Sequence, residues 1–275
     1  MPTVYIIFYS LYHHIYTVAK EVQKGLELQG IEVKLFQVPE TLNEEVLTKL
    51  HAPARPDVPV ISVDQLTEAD GFMFGIPTRF GTMPAQIKSF FDATGKLWAS
   101  GALSGKFVGT FFATGVQHGG QETTSLTAVT YFAHHGMNYV PLGFADANLF
   151  DNSEVVGGSA YGAGTVTNGD GSRQPSEKEL AVARTQGQNF GKILSAYHRG
   201  LEKTATNSPA PSQKEASDKP AATATTTTTT TTAEPAAKPV DQAPKEREVK
   251  KETAAKPAEP KNKAEEKKKS SCFCM

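Results

Sequence analysis

The chain opens with a strand, a short polar loop and a helix, and this order constrains the fold more than any other feature of the sequence. Residues 4–9 form a short apolar run rich in β-branched and aromatic side chains, which predicts a buried strand. Residues 10–14 form a polar turn, and from Ile15 onward apolar or small residues recur at the spacing of a helix face. The pattern therefore predicts a strand that leads directly into a helix.

The turn at residues 10–14 has a predicted chemical property. It places main-chain N–H groups and the N-terminus of a helix at the carboxyl end of a central strand, where an anion such as a phosphate is favoured. An ordinary strand-to-helix connection in an α/β protein has the same pattern. The loop by itself therefore leaves both interpretations open.

Strands and helices alternate along the chain up to about residue 203. This alternation predicts an α/β domain with a doubly wound, five-stranded parallel sheet in the order 2-1-3-4-5 and helices on both faces. Residues 143–172 form a glycine-rich excursion late in this pattern. The remaining predicted strands are residues 31–38, 69–77, 106–113 and 138–141, and the later helices are residues 42–50, 83–94, 121–135 and 175 to about 201.

Three loops are expected to converge on one site. In a sheet of this order, the ligand crevice lies at the carboxyl ends of strands 1 and 3. The loops at residues 10–15, 77–81 and 114–120 leave strand ends near that crevice. No G-x-G-x-x-G fingerprint follows the first strand and no P-loop lysine is present, which argues against a dinucleotide-binding Rossmann domain.

The amino-acid composition changes sharply near Lys203. Between residues 204 and 271 there is no aromatic side chain, and the only branched aliphatic residues are Val240 and Val249. Such a segment cannot bury enough apolar area to offset the entropy lost on ordering it. We therefore expect a folded domain at residues 1–203 and a disordered tether rich in Thr, Pro, Ala and Lys at residues 204–275.

Charge and cysteine content exclude several classes of function for the domain. Residues 1–203 carry 15 Lys and Arg against 19 Asp and Glu, so no nucleic-acid partner is expected. The only cysteines are Cys272 and Cys274, so the domain is expected to have neither a disulfide framework nor a cysteine metal site. The sequence has no signal-peptide pattern and no apolar stretch long enough to span a bilayer, which predicts a cytoplasmic location.

Six segments carry a resemblance to a known family. They are ordered and spaced as in the WrbA-type branch of flavodoxin-like proteins, and together they cover essentially all of residues 1–203. The chain therefore resembles the FMN-dependent NAD(P)H:quinone oxidoreductases. The matching segments are YS-LY-HHI at 9–15, FGIPTRFG at 74–81, LWASGAL at 97–103, GGQETT at 119–124, AHHGM at 133–137 and GDGSRQPSE at 169–177.

The resemblance implies an FMN site, with NAD(P)H as the electron donor. The first loop would hold the FMN phosphate through main-chain N–H groups and the Ser10 hydroxyl. The second loop would lie along the isoalloxazine ring, and the third would close the other side of that ring. The residues implied for the cofactor are Ser10, Leu11, Tyr12, His13, His14, Ile15, Thr78, Arg79, Phe80, Thr114, Gly115, Val116, Gln117, His118 and Gly119.

The resemblance also implies three catalytic residues. Trp98 would form, with Tyr12, an aromatic slot in which nicotinamide and quinone stack in turn. His135 would face the flavin, where an imidazole can donate a proton or a hydrogen bond to a quinone under reduction. Arg79 would favour the negatively charged reduced flavin. Simpler roles stay open for each: core packing for Trp98, a helix end for His135 and a surface ion pair for Arg79.

The function implied by the resemblance is the two-electron reduction of quinones by a homotetramer whose substrate slot is completed by neighbouring subunits. This activity would protect against oxidative stress. Two departures from the family pattern leave an alternative open. His13 stands where family members usually have glycine, and the loop TGVQHGG at residues 114–120 is one residue longer. A flavodoxin-like module without catalysis, with a structural or regulatory role at the membrane, would fit these departures.

The last four residues predict a lipid anchor. The segment from Cys272 to Met275 matches the C-a-a-X pattern with Met last, the farnesyl type, although Cys274 is not aliphatic. A run of three lysines at residues 267–269 precedes it. One lipid chain with a polybasic patch makes a stable anchor, which predicts attachment to the cytoplasmic face of the plasma membrane. Several fungal relatives resemble this layout, and a tail with accidental cysteines is the alternative.

Overall fold

The computed structural model describes residues 1–207. The predicted tether and the C-a-a-X motif at Cys272 lie outside these residues. The strands are β1 Thr3–Phe8, β2 Glu32–Gln37, β3 Gly71–Pro77, β4 Phe107–Thr114, β5 Asn138–Tyr139, β6 Gly158–Ser159 and β7 Gly162–Val166. The α-helices are α1 His14–Glu27, α2 Glu44–Lys49, α3 Ala85–Asp92, α4 Gly95–Ser100, α5 Gln121–His134 and α6 Glu177–Asn207, and short 3-10 helices lie at Asp64–Glu68 and Ala147–Phe150.

Four parallel strands form the centre of the sheet in the order β2-β1-β3-β4, which confirms the predicted order for these strands. β1 is central, because Ile6 pairs with Leu35 of β2 on one side and with Met73 of β3 on the other. Every residue of β1 after Thr3 is buried. This burial on both faces explains why the sequence of β1 is a continuous apolar run rather than an alternating one.

The fifth position of the sheet is divided between two strands. β5 pairs with the first two residues of β4, β7 pairs with its last three, and β6 adds an antiparallel edge to β7. The predicted fifth strand at 138–141 is therefore only the first half of this position. The second half lies in the predicted glycine-rich excursion, where the sequence GAGTV has no apolar run. Glycine is required there, because a Cβ on Gly162 would lie 1.9 Å from the Thr110 carbonyl oxygen.

Helices cover both faces of the sheet. α1 and α6 pack on one face, where Val22 and Phe190 are fully or almost fully buried, and α3 and α5 pack on the other, where Phe91 and Phe132 are buried. The predicted helix bounds differ from the structure most clearly at two places. The helix predicted at 83–94 ends at Asp92 and is followed by the separate α4, and the last helix runs to Asn207.

Two kinds of feature are absent from residues 1–207. No helix in this range combines the length and the apolar composition needed to cross a bilayer. No group of three or more His, Cys, Asp or Glu side chains in it is arranged to hold a metal ion.

α1 and α6 approach each other where glycines replace larger side chains. A Cβ on Gly25 would lie 2.1 Å from the Arg184 carbonyl oxygen, and one on Gly187 would lie 2.2 Å from the Val22 carbonyl oxygen. Neither distance leaves room for a methyl group. This contact matters for the site, because it sets the position of the helix whose N-terminus follows the 10–14 loop.

We predict that Gly187→Ala lowers the free energy of unfolding by about 3 kcal/mol, since a forced separation of two packed backbones costs at least as much as overpacking a core. Gly200→Ala is the matched control in the same helix. No atom lies within 4 Å of its would-be Cβ, so this variant should be more stable by about 0.5–1 kcal/mol. Urea unfolding of both variants measures the difference, and equal stabilities would contradict the close-contact argument.

Candidate functional site

A cavity of about 730 Å³ opens at the carboxyl ends of β1, β3 and β4. This is the crevice that the predicted strand order places there. All three predicted loops contribute to its walls. The lining residues are Tyr9, Ser10, Leu11, Tyr12, His14, Ile15, Leu42, Leu50, His51, Pro53, Pro77, Thr78, Arg79, Phe80, Pro84, Ala85, Gln86, Ala113, Thr114, Gly115, Thr167, Asn168, Gly169, Asp170, Gly171 and Gln174.

The first wall is the start of α1, which has the features of an anion site. The Ser10 hydroxyl oxygen accepts the Tyr16 N–H at 3.2 Å, which draws the loop back onto the helix. The N–H groups of His14 and Ile15 donate to no other group within residues 1–207. No acidic residue lies in the first turn. Free N–H groups at the positive end of a helix stabilise a bound phosphate.

His13 lies between two lining residues and has a left-handed backbone, with φ 68°. A left-handed backbone favours glycine at this position, and the sequence places histidine there. The conformation costs a non-glycine residue about 1 kcal/mol. The His13 side chain offsets this cost, because its Nε2 lies 2.9 Å from the Ala54 carbonyl oxygen. A hydrogen bond of this kind contributes about 1 kcal/mol, so His13 does not distort the loop.

His14 is almost fully buried and lines the cavity at the first residue of α1. Burial lowers the pKa of His14, so the ring is neutral at pH 7. Its ring lies near Gln174, with 3.5 Å between the two Nε2 atoms. The neutral ring therefore joins the first loop to the segment before α6.

The second wall is a tight turn at Arg79–Thr82. The N–H of Arg79 donates to the Thr82 carbonyl at 2.8 Å, and the Thr82 N–H donates back at 3.0 Å. Phe80 and Gly81 between them have φ 53° and 76°, as a two-residue type I′ turn requires. The turn projects Phe80 outward, with 87% of its surface exposed, while Arg79 stays at the cavity.

Thr78 and Arg79 are held in place by polar contacts. The Arg79 Nη1 donates to the Thr78 carbonyl at 2.9 Å. The Thr78 hydroxyl lies 2.9 Å from the Thr124 hydroxyl in a buried contact with α5. The guanidinium is therefore a fixed positive charge in the wall of the cavity.

The third predicted loop reaches the cavity only through its first residues. Thr114 and Gly115 line the cavity, whereas Val116, Gln117, His118 and Gly119 do not. The Thr114 hydroxyl donates to the Val116 carbonyl at 2.9 Å and accepts from the Gln121 side chain at 3.0 Å. These bonds turn the chain away from the crevice into α5.

Sequence reasoning did not assign the segment that closes the cavity beside Gly115. Residues 167–171 follow β7 and line the site, as does Gln174. A signal was present, because 169–177 is one of the segments that match the family, but the match alone did not indicate a role in the site. The 42–53 segment and the start of α3 were also missed, since their side chains have no chemical pattern of their own.

Glu179 holds the 167–171 segment in place. Its carboxylate is fully buried and accepts hydrogen bonds of 2.8–3.1 Å from the N–H groups of Gly157, Val166 and Ser176. It also accepts from the hydroxyl of Thr165 at 2.8 Å, and Arg173 Nη1 donates to both of its oxygens at 2.8 and 2.9 Å. Ser176 and Glu179 form a capping box at the start of α6. One carboxylate therefore connects β7, the excursion and α6.

Tyr9 is a further lining residue that the sequence did not single out for the site. Only 3% of its surface is exposed. Burial raises the pKa of Tyr9, and the neighbouring Glu40 carboxylate raises it further. Tyr9 therefore keeps its proton at neutral pH and lines the cavity as a neutral side chain.

Two predicted catalytic residues do not reach the cavity of their own chain. His135 caps the end of α5, and Gly136 beside it accepts the Gly105 N–H just before β4 begins. This is the amino edge of the sheet, opposite the crevice, because α5 runs antiparallel to the strands. The His135 Nε2 lies 3.0 Å from the Thr94 hydroxyl, and burial lowers the pKa of His135, with a further contribution from His134.

Trp98 lies on the same side of the molecule as His135. The main-chain N–H of Trp98 donates to the carbonyl of Thr94, whose hydroxyl contacts the His135 ring. Trp98 is 58% exposed, so simple core packing does not account for it. The predicted roles of Trp98 and His135 at a flavin stay predictions that need a second copy of the chain.

The residues of the cavity fit FMN. The free N–H groups at the start of α1 suit its phosphate, and Arg79 suits the charge of its reduced ring. The cavity volume of about 730 Å³ lies within the range of roughly 300–1,000 Å³ that is usual for ligand sites. Ser10, His14 and Ile15 would hold the phosphate, and Thr78, Arg79 and Thr114 would hold the ring system.

We predict that Glu179→Gln lowers the free energy of unfolding by about 3 kcal/mol, because it leaves the Arg173 guanidinium without its carboxylate partner. It should also weaken FMN binding, since the 167–171 wall loses its anchor. Glu177→Gln is the control on the same helix, where the exposed side chain should change stability by less than about 0.5 kcal/mol. Urea unfolding without FMN and flavin fluorescence titration measure the two effects. Similar behaviour of the two variants would contradict the role assigned to Glu179.

Comparisons with known proteins identify the family of the chain. Residues 13–150 match the family model described as NADPH-dependent FMN reductase. The chain is 58% identical over 192 residues to Quinone-oxidoreductase QR2 of Triphysaria versicolor, a match that covers 69% of this chain and 94% of that protein. It is 53% identical over 210 residues to NAD(P)H quinone oxidoreductase YCP4 of Candida albicans, with 75% and 73% covered.

Among solved structures, a WrbA-like flavodoxin from Agrobacterium tumefaciens matches with a TM-score of 0.50 at 20% identity, over 71% of this chain and 99% of that one. At this identity the similarity concerns the fold, which is flavodoxin-like. The family match covers the end of the first loop from His13, the Arg79 turn and the Thr114 loop, and the two relatives are more than 50% identical to the chain over the matched residues. The chain therefore belongs to the NADPH-dependent FMN reductase family, as a flavodoxin-like oxidoreductase with FMN as its cofactor and NAD(P)H as its electron donor.

Proposed function

We propose that this protein catalyses the FMN-dependent, two-electron reduction of quinones by NAD(P)H. The observation that carries the proposal is the cavity itself. It is lined both by the anion site at the start of α1 and by the positively charged Arg79. The names of the relatives support the substrate class, because the Triphysaria and Candida proteins are both called quinone oxidoreductases. A two-electron reduction yields the hydroquinone in one step, and this is the basis of the proposed protection against oxidative stress.

FMN would supply a two-electron carrier that takes a hydride from NAD(P)H and passes it to the quinone. The chain supplies the binding, the charge and the enclosure. The start of α1 holds the phosphate through the N–H groups of His14 and Ile15, and Thr78 and Arg79 hold the ring. Arg79 adds positive charge where a reduced ring carries negative charge, which favours the reduced form.

The alternative of a module without catalysis has little support at the cavity. His13 has the left-handed backbone that this alternative anticipated, with φ 68°, but its side chain offsets the cost by bonding to Ala54. The longer loop after β4 bends away after Gly115 and leaves the cavity open. The enzyme is therefore the function that we propose.

The visible spectrum of the purified protein and one variant test this function. The protein should be yellow, with flavin bands at nearly one FMN per chain. We predict that Arg79→Ala weakens FMN affinity or slows its reduction by NAD(P)H by about tenfold, the effect of losing one charged hydrogen-bond donor. The control is Lys88→Ala, an exposed cation on α3 that pairs with Asp92. Unchanged FMN affinity and unchanged NAD(P)H oxidation in Arg79→Ala would contradict the assigned site.

The active form in this proposal is a homotetramer in which neighbouring copies complete the substrate slot. The support is the position of Trp98, which is 58% exposed and lies near His135 rather than in the cavity of its own chain. In an assembly, Trp98 of one copy can meet Tyr12 and the cavity of another. The same contact would decide whether His135 serves the reaction.

We predict that sedimentation of the full chain with FMN gives a tetramer. Trp98→Ala should raise the KM for a quinone while FMN content stays constant, because the indole contacts the substrate rather than the phosphate loop. The control is Leu28→Ala, an exposed apolar residue at the end of α1. A strictly monomeric protein with full activity would remove the argument for shared sites.

The proposal places the enzyme at the cytoplasmic face of the plasma membrane, through a farnesyl group on Cys272. This residue lies outside the described part of the chain, so the support is the sequence motif. One lipid chain gives only marginal binding. Lys267, Lys268 and Lys269 can each add roughly 1 kcal/mol against an anionic leaflet. Membrane attachment would bring the enzyme to the surface where hydrophobic quinones concentrate.

We predict that Cys272→Ser releases the protein from membranes while its reductase activity on a water-soluble quinone stays intact. Cys274→Ser is the matched control and should remain attached, because the modified thiol is still present. Neutralising the three lysines should cause partial release, as high salt should for the unchanged protein. Fractionation of cells that express each variant measures this. Retention of Cys272→Ser on membranes would exclude the C-a-a-X interpretation and make acylation of Cys274 the next hypothesis.

A further inference from the structure

Two side chains of the loop after β1 reach across the cavity rim to residues 50–54. The Tyr12 hydroxyl donates to the Leu50 carbonyl at 2.9 Å, and the His13 Nε2 lies 2.9 Å from the Ala54 carbonyl oxygen. A carbonyl oxygen only accepts, so the His13 Nε2 carries the proton in this contact. The same loop that offers N–H groups to a phosphate therefore also holds a separate segment of the chain.

Residues 50–54 form part of the cavity wall, since Leu50, His51 and Pro53 line it. Their own main-chain bonds are local and run back to α2, from the N–H groups of Leu50, His51 and Ala52 to carbonyls of the preceding turn. α2 has no buried side chain. Beyond Ala54, Arg55 attaches the chain to Gln37 and Val38. The segment before Arg55 is thus held to the sheet side of the site by Tyr12 and His13.

We propose that Tyr12 and His13 are positioning residues that hold the 50–54 segment against the FMN site and slow the loss of the cofactor. The identity of the ligand as FMN rests on the proposed function. The contacts of Tyr12 and His13 with residues 50–54 do not depend on it. Because the two donors belong to the phosphate loop, a bound phosphate that orders this loop also orders the 50–54 segment. In this role, the His13 side chain donates a hydrogen bond to the Ala54 carbonyl, which a glycine cannot do.

The test uses the full chain and compares His13→Gly, Tyr12→Phe and the double variant with the unchanged protein. Hydrogen–deuterium exchange of the main-chain N–H groups at 50–52 and 54 reports the hold on the segment, with and without FMN. The rate of flavin fluorescence recovery on dilution reports FMN dissociation. Each single variant should raise both rates about threefold to tenfold, and the double variant should raise them further.

Thermal stability separates this role from a general structural one. His13→Gly removes both the backbone strain and the hydrogen bond that offsets it, so its melting temperature should change little while the 50–54 segment exchanges faster. A loss of general stability would lower the melting temperature and raise exchange throughout the domain. Tyr12→Phe removes one hydroxyl group without altering the backbone. It provides the test of the proposal if His13→Gly folds poorly.

Asn168→Gly is the matched control. Asn168 also has a left-handed backbone, with φ 65°, and lines the cavity, but it makes no hydrogen bond to the 50–54 segment. Exchange at 50–54 should be unchanged in this variant. Unchanged exchange at 50–54 in both His13→Gly and Tyr12→Phe would overturn the proposal. If the unchanged protein holds no FMN, the proposed function fails, and the exchange comparison without FMN still decides the role of these two residues.

Discussion

The Glu179 carboxylate is the interaction on which the architecture of the site depends. It is fully buried, and its oxygens accept from three main-chain N–H groups, one hydroxyl and the Arg173 guanidinium. A buried carboxylate is tolerable only with donors of this number. Because those donors lie before β7, within it and after it, up to the start of α6, Glu179 holds the chain where it returns to the sheet as β7. That return completes the fifth strand position and brings residues 167–171 to the cavity, so one wall of the FMN site depends on a residue that does not line it.

Backbone strain in the described part of the chain is concentrated around the cavity. Within residues 1–207, the non-glycine residues with positive φ are His13, His51, Phe80 and Asn168. Three of them line the cavity, and His13 lies between two residues that do. Such conformations persist only where the surrounding structure holds them, and here identified bonds do so: Ala54 for His13, the reciprocal Arg79 and Thr82 bonds around Phe80, and the end of α2 for His51. The strained residues therefore lie at tight turns of the chain around the site.

The direction of the chain explains why one copy of the protein lacks part of the predicted constellation. In a doubly wound sheet every helix runs antiparallel to its strands. A residue at the start of α1 or α5 therefore lies at the crevice, and a residue at the end of α5, such as His135, lies at the opposite edge. Trp98 lies beside it, on the helix that contacts Thr94. The order of the motifs along the sequence indicates a family, but it does not show which motifs lie in the same cavity. Sequence spacing does not tell which edge of the sheet a motif reaches.

The sequence by itself determined the doubly wound fold and the first two loops of the site. Those features depend on local patterns: the apolar runs of β1 and β3, the helical spacing after Ile15, and the loops where these two strands end. It did not determine β7, the 167–171 wall or the 50–54 segment. β7 is built from glycines and small residues whose requirement is visible only as a close approach to Thr110. The 50–54 segment reaches the site through hydrogen bonds to residues 38 and 41 positions away. Tertiary structure decided these features because contacts between distant segments leave no periodic pattern in the sequence.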